Sequence, residues 1–178
     1  MRLLNTVKLY PILFTEGKQY RNPEGFWGDA GAGILIFARS TNKFLVLKRS
    51  AGVKESGTWG LAGGALNVDE DGQLIESPEE GARREAQEEL GISSDMNLIP
   101  AHVFVSPRGT FKYYNFIGVV EDEFDSELGD GENTALKWIS LDELKHLGNK
   151  HFGLRALVAN SGDLLENLAA DRKKEHND

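Results

Sequence analysis

The sequence predicts an α+β fold, arranged as an αβα sandwich on a mixed sheet, and three observations carry that expectation. Short β-branched and aromatic runs recur between turn signals from residue 33 to residue 139. One helix, residues 77–90, stands among them with both ends marked. A second helical stretch, residues 153–173, follows the last run, and no linker composition divides residues 1–178, so one domain is expected.

Taken in order, residues 3–14 are apolar and end near Gly17, which suits a strand or strand pair. Residues 21–32 are rich in turn formers and read as a loop. Residues 33–38 and 44–48 flank Ser40-Thr41-Asn42, a hairpin pattern. Residues 59–62 form one further short strand before two glycines. Ser77 caps the central helix, Pro78 suits its first position, Glu80 completes a capping box and Gly91 is placed to end it. Residues 98–105 and 111–120 are strands around the turn Pro107-Arg108-Gly109, and residues 121–133 are an acidic loop. Residues 134–139 make a last strand, and Ser140 to Glu143 opens a short helix with a second capping box. The stretch 153–173 is expected to break at Ser161-Gly162, and the tail from Lys173 to fray.

Composition excludes several functions. The chain carries 20 basic and 28 acidic residues, a net charge of −8, which disfavours a nucleic-acid backbone or an anionic membrane as partner. It has no cysteine, so disulfides, thiolate metal sites and cysteine nucleophiles are ruled out. No apolar run reaches membrane-spanning length. Arg2 and Lys8 are basic, but Asn5 and Thr6 interrupt the apolar residues near them; no signal peptide is read and a cytoplasmic location is expected.

The segment that carries chemistry is Arg84-Glu85-Ala86-Gln87-Glu88-Glu89-Leu90-Gly91-Ile92. At about 100° per residue from Ala82, Ala86 and Leu90 make a narrow apolar stripe near 40° and 80°. Glu85, Glu88 and Glu89 then crowd an arc of about 100° beside it. Like charges at this spacing repel, and hard anionic oxygens suit Mg²⁺ or Mn²⁺. The competing reading is a solvated helix surface in which Arg83 and Arg84 pair with the glutamates.

The same segment resembles the Nudix box, G-x(5)-E-x(7)-R-E-U-x-E-E-x-G-U, where U is a bulky aliphatic. Glu76, Arg84, Glu85, Glu88, Glu89, Gly91 and Ile92 fall in place, and only Ala86 is smaller than the pattern asks. Upstream, Leu45-Val-Leu-Lys-Arg49 and Gly57-Thr-Trp-Gly-Leu-Ala-Gly-Gly64 are similar to the family's approach to the box, with Ala62 in place of a frequent proline. Downstream, Glu132, Trp138 and Leu141-Asp-Glu-Leu144 resemble the family's ending, so the likeness spans roughly residues 30–145 and the box region 63–92. One departure stands out: Gly64 lies 12 positions before Glu76, where the pattern expects six, which makes residues 67–72 an acidic insertion. Glu76, directly before the cap at Ser77, is the expected box residue, with Glu70 the alternative.

The resemblance implies a hydrolase that cleaves a phosphoanhydride bond with Mg²⁺, or Mn²⁺, held by Glu85, Glu88, Glu89 and the Gly63 carbonyl. Arg84 is then expected to orient carboxylates, Glu76 among them. Glu132, six residues before Trp138, is the first candidate for general base and Glu88 the second. Arg49, Arg108 and Lys112 are candidate phosphate contacts, and Phe26, Trp27, Tyr113 and Tyr114 are candidate stacking partners for a base, with core packing their commoner role. Pro107, 15 residues after Ile92, resembles a mark of ADP-ribose pyrophosphatases. A nucleoside triphosphate, a dinucleoside polyphosphate or a capped RNA are the alternative substrates, and a second copy of the chain is a candidate partner. A non-catalytic nucleotide sensor on the same fold is the alternative class; the intact box glutamates and the lack of a DNA-binding segment speak against it. An isomerase on this fold would need the cysteine that is missing.

Overall fold

The computed structural model describes residues 20–92, 95–128 and 131–175, with side chains through residue 170. The strand expected at 3–14 lies outside these residues.

Among the described residues, seven strands form one mixed sheet. At its centre is β1 (Ala30–Ala38), buried along its whole length, as an uninterrupted small-and-apolar run covered on both faces requires. It pairs antiparallel with β2 (Lys43–Arg49) and β4 (Ala62–Ala65), and parallel with β6 (Lys112–Val120). Three antiparallel pairs complete the sheet: β3 (Trp59–Gly60) and β7 (Asn133–Ile139) with β2, and β5 (Asn97–Val105) with β6.

The period of two along β1 sorts its side chains between two cores. Ile34 and Ile36 pack with Ala82, Ala86 and Leu90 of α1 (Pro78–Leu90). Leu35 and Phe37 pack on the opposite face with Leu144 of α2 (Leu141–His146), Leu154 and Leu157 of α3 (Phe152–Asn160) and Leu165 of α4 (Gly162–Glu175). The result is the αβα sandwich expected. Both capping boxes form, and Gly91 ends α1 in the left-handed region at φ 64°. The hairpin between β1 and β2 and the break between α3 and α4 at Ser161 also stand where the residues put them. No helix among the described residues is long and apolar enough to cross a membrane.

Two strand readings differ from the structure by more than a residue at an end. β1 starts at Ala30, inside the stretch read as loop, because its glycines serve packing and not turning. A Cβ on Gly31 would lie 2.7 Å from the Gly64 carbonyl and 2.8 Å from the Tyr113 ring. Residues 59–62, read as one strand, belong to two: the chain leaves β2 after Gly60 and joins β1 from Ala62.

The acidic insertion folds on itself. Val68 bridges Leu74, the Asp69 carboxylate accepts the N–H groups of Asp71 and Gln73 at 3.0 and 2.8 Å, and Ile75 N–H returns to the Asn67 carbonyl at 3.1 Å. Its two ends therefore meet, and the added residues leave β4 and α1 in contact.

Candidate functional site

Burial of Ala82, Ala86 and Leu90 turns the rest of α1 toward the end of β4. Gly64 admits this approach: a Cβ there would lie 2.5 Å from Oε1 of Glu85. Arg84 organises the carboxylates. Its Nε and Nη2 donate to the two oxygens of Glu76 at 3.1 and 2.7 Å, a two-pronged ion pair. Nη2 also donates to the Ala65 carbonyl at 3.1 Å, while Nη1 donates to Glu85 at 2.8 Å and Glu88 at 3.1 Å. The Asn67 N–H adds a bond to Glu76 Oε1 at 2.7 Å, whereas Glu70 is exposed on the inserted hairpin.

Glu85 is the electrostatically stressed member. Burial pushes its carboxyl up to about 7; Arg84 pulls it down, and the negative charges of Glu88 and Glu132 push it up again. β7 begins beside this cluster, which is how Glu132, distant in sequence, comes within range of Glu85. Such surplus negative charge on hard oxygens fits a divalent cation. Among the described residues no three acidic or imidazole groups converge as a ready-made cage. Mg²⁺ does not demand one, since it usually keeps waters and takes one or two carboxylates together with substrate phosphates.

Glu89 is only 3% exposed. Its Oε1 accepts the Gly63 N–H at 2.9 Å and its Oε2 the Asn133 side-chain amide at 2.7 Å, so it joins α1 to β4 and β7. The helical wheel alone suggests that Glu89→Gln relieves repulsion and spares stability. The observed bonds change that expectation. Glu89→Ala leaves two buried donors without their acceptor and is expected to cost about 2–4 kcal/mol. Glu89→Gln keeps one carbonyl for Gly63, and Asn133 can turn its amide to meet the new NH₂, so about 1 kcal/mol is lost. Urea denaturation of the three proteins checks this order; equal stability of wild type and Glu89→Ala would contradict it.

Beside the box lies a cleft open to solvent. Gly63, Gly64 and Ala65 line it on the box side and Arg49 and Lys54 supply cations, while Phe26, Trp27, Phe111, Tyr113 and Phe152 form its aromatic wall. The structure thus brings together Arg49, Gly63, Phe26, Trp27 and Tyr113 of the sequence candidates. Arg108 and Lys112 are not among the cleft's lining residues: the Arg108 N–H donates to Glu24 at 3.0 Å and Lys112 is exposed at the start of β6. Tyr114 packs on the opposite face of the sheet, with the α1 core.

Two residues that sequence reading passed over shape this cleft. Glu24 accepts hydrogen bonds from the Ser106 and Thr110 hydroxyls and from the Arg108 N–H, which hold its carboxyl down at about 2. It thereby fastens residues 20–28 to the β5–β6 turn. His151 lines the cleft at the start of α3; its Nδ1 accepts the Gly153 N–H at 3.4 Å, and its Nε2 lies 3.5 Å from Glu55 Oε2. Burial, with Arg49, Arg155 and Lys54 adding to it, lowers its pKa from 6.5 to about 3. A base whose pKa falls on folding takes up its proton more readily when unfolded. Stability should therefore fall as pH drops from about 6.5 toward 3, with a slope of at most about 1.4 kcal/mol per pH unit from this group. His151→Asn keeps a capping acceptor and should flatten that part of the stability–pH curve; an unchanged slope would show that His151 is not the titrating group.

Comparison with known proteins agrees with this arrangement. The family described as NUDIX domain matches residues 29–160. A "MutT-like protein" of Streptomyces ambofaciens is 29% identical over 135 residues, covering 74% of this chain and 75% of that protein. A Mycobacterium tuberculosis protein provisionally named 8-oxo-dGTP diphosphatase 3 is 30% identical over 68% of this chain, which spans only 57% of that protein's length. Among solved structures, the M. smegmatis Nudix hydrolase RenU superposes with a TM-score of 0.62 at 25% identity, covering 86% of this chain and 95% of that one.

Proposed function

The chain belongs to the NUDIX family, pyrophosphohydrolases that act on acid anhydrides, and from that premise we propose that it hydrolyses the phosphoanhydride bond of a nucleoside diphosphate linked to a second moiety, ADP-ribose being the first substrate to test. The observation that carries this reading is the continuity of the cationic, aromatic cleft with the carboxylate cluster across Gly63 and Gly64. A nucleotide laid along that path has its base and ribose in the cleft and its diphosphate beside Glu85.

Glu85 and Glu88 would hold Mg²⁺, or Mn²⁺, with Glu89 and Gly63 joining through the lone pairs that their own hydrogen bonds leave. When bound, the cation neutralises diphosphate oxygens and stabilises the charge that develops as the bond breaks. The chain's own residues do the rest. Arg84 fixes the oxygens of Glu76, Glu85 and Glu88 before substrate arrives, so little reorganisation is needed during reaction. Arg49 and Lys54 attract the anionic ligand into a protein of net charge −8. Glu132 takes the proton of the attacking water as its oxygen bonds to phosphorus, and the bridging P–O bond breaks with both electrons on the departing phosphate. Glu88 is the second candidate for this proton, though Arg84 Nη1 already donates to it.

A second reading has its own support. The provisional name of the M. tuberculosis relative points to nucleoside triphosphates. A panel of ADP-ribose, nucleoside triphosphates and dinucleoside polyphosphates, incubated with Mg²⁺ and resolved by chromatography, separates the two. AMP and ribose 5-phosphate from ADP-ribose are the products expected; exclusive release of pyrophosphate from triphosphates would favour the second reading, and no turnover of any member would refute both.

A further inference from the structure

We propose that Trp27 is a specificity-determining residue, the platform on which the planar base of a nucleotide stacks; this inference rests on the nucleotide-hydrolase reading above. The other aromatics around the cleft are already engaged. Phe26 stacks on Phe111 at 4.3 Å and 6°, and Lys54 Nζ sits over the Phe26 ring at 4.1 Å, so neither face of Phe26 is left for a ligand. Phe152 meets Phe26, Phe111 and Tyr113 edge-on, and Tyr113 is buried. Trp27 differs: it is 43% exposed, it lines the cleft, and among the described residues the Arg21 guanidinium, 4.6 Å from its ring centroid, is the one cation or aromatic group packed on it, so the ring is not sandwiched as that of Phe26 is.

The segment that carries Trp27 is built to hold it still. Residues 20–28 form a closed hairpin, with Arg21 bridged to Trp27 and the Gly28 N–H on the Tyr20 carbonyl at 2.7 Å. Asn22 Oδ1 accepts the N–H groups of Glu24 and Phe26, both at 3.0 Å. Outside the hairpin, Lys54 Nζ donates to the Gly25 carbonyl at 2.8 Å and Glu24 grips the β5–β6 turn. A platform fixed before binding loses little entropy when a base lands on it. These residues precede the NUDIX match, which begins at residue 29, so they lie outside the part of the chain by which the family is shown.

The test uses the full chain with Mg²⁺ and the best nucleotide substrate of the panel. Trp27→Ala is expected to raise KM by about five- to a hundredfold, the range for loss of one base–aromatic stack, with kcat held within about twofold. Trp27→Phe should restore most of the KM. In parallel, Trp27→Ala should weaken binding of AMP, measured by calorimetry, and leave ribose 5-phosphate unchanged. The proposal is overturned if KM does not move, if Phe fails to rescue, or if AMP and ribose 5-phosphate weaken equally. Absence of turnover in wild type would instead refute the hydrolase reading, while AMP binding would still decide the role of Trp27. Trp27 is exposed, so the melting temperature of the variant should match wild type; a collapse would assign it a structural role and overturn the proposal.

Discussion

Glu85→Gln is expected to remove nearly all activity while leaving the metal-free protein as stable as wild type, or more so. Ionised Glu85 is confined against Gly64, repelled by Glu88 and Glu132, and restrained by Arg84 alone among the cations acting on it most strongly. Gln has the same shape and can still accept from Arg84, so the uncharged side chain relieves repulsion at little cost in packing. Catalysis loses the anion that best fits a cation. Charge stabilisation of this kind is worth several kcal/mol, and each 1.36 kcal/mol is about tenfold, so kcat should fall by at least roughly 10²-fold. The variant should also lose the stabilisation by Mg²⁺ that a binding site confers on wild type, about 2.7 kcal/mol at a hundredfold excess over Kd. Retention of activity, or of the Mg²⁺-induced rise in melting temperature, would remove Glu85 from the metal site.

Arg84→Lys should show that charge alone is not what the site uses. The guanidinium spans Glu76, Glu85, Glu88 and the Ala65 carbonyl at once; burial works to lower its pKa, but the hydrogen bonds and charges of Glu76 and Glu85 outweigh it and raise the pKa beyond its already high value. An ammonium has no planar fork and cannot serve acceptors on both sides. Glu76 and Glu85, each with little exposed surface, then lose part of their compensation. Breaking a buried pair outright costs more, but lysine keeps the charge and water reaches this rim, so about 1–3 kcal/mol of stability should be lost. kcat should fall with it, because Glu85 and Glu88 are no longer held in one arrangement. Thermal unfolding and kcat measured together check the pairing of effects; a fully stable and active Arg84→Lys would mean that the fork is dispensable.

The parts of this architecture that were legible in the sequence are those decided locally. Ser77, Pro78, Glu80 and Gly91 mark the limits of α1 through bonds that reach no more than four residues. The β-branched and aromatic runs on either side of Ser40-Thr41-Asn42 mark the first hairpin. The box spacing identified Arg84 and Glu76, which meet directly. Where the reading failed, distant parts of the chain decide. Gly31 looks like a loop residue and is a strand residue because the Tyr113 ring packs against it from another strand. Glu89 looks like a carboxylate on the open surface of the helix and is buried, because Gly63 and Asn133 come to it from β4 and β7. Glu24 and His151 stand in no motif; only folding places the first on the β5–β6 turn and the second in the cleft. The insertion was legible as an interruption of spacing, but its return through Val68 and Leu74 was not.

Hydrolysis of the best panel substrate by enzyme stripped with a chelator, followed as Mg²⁺ is returned stepwise, tests the proposed chemistry most directly. Turnover should be absent from the stripped protein, rise with Mg²⁺ to saturation, and yield a nucleoside monophosphate as one product. Full turnover by the stripped protein, or an Mg²⁺ response that survives in Glu85→Gln, would contradict a cation held by the carboxylates of α1.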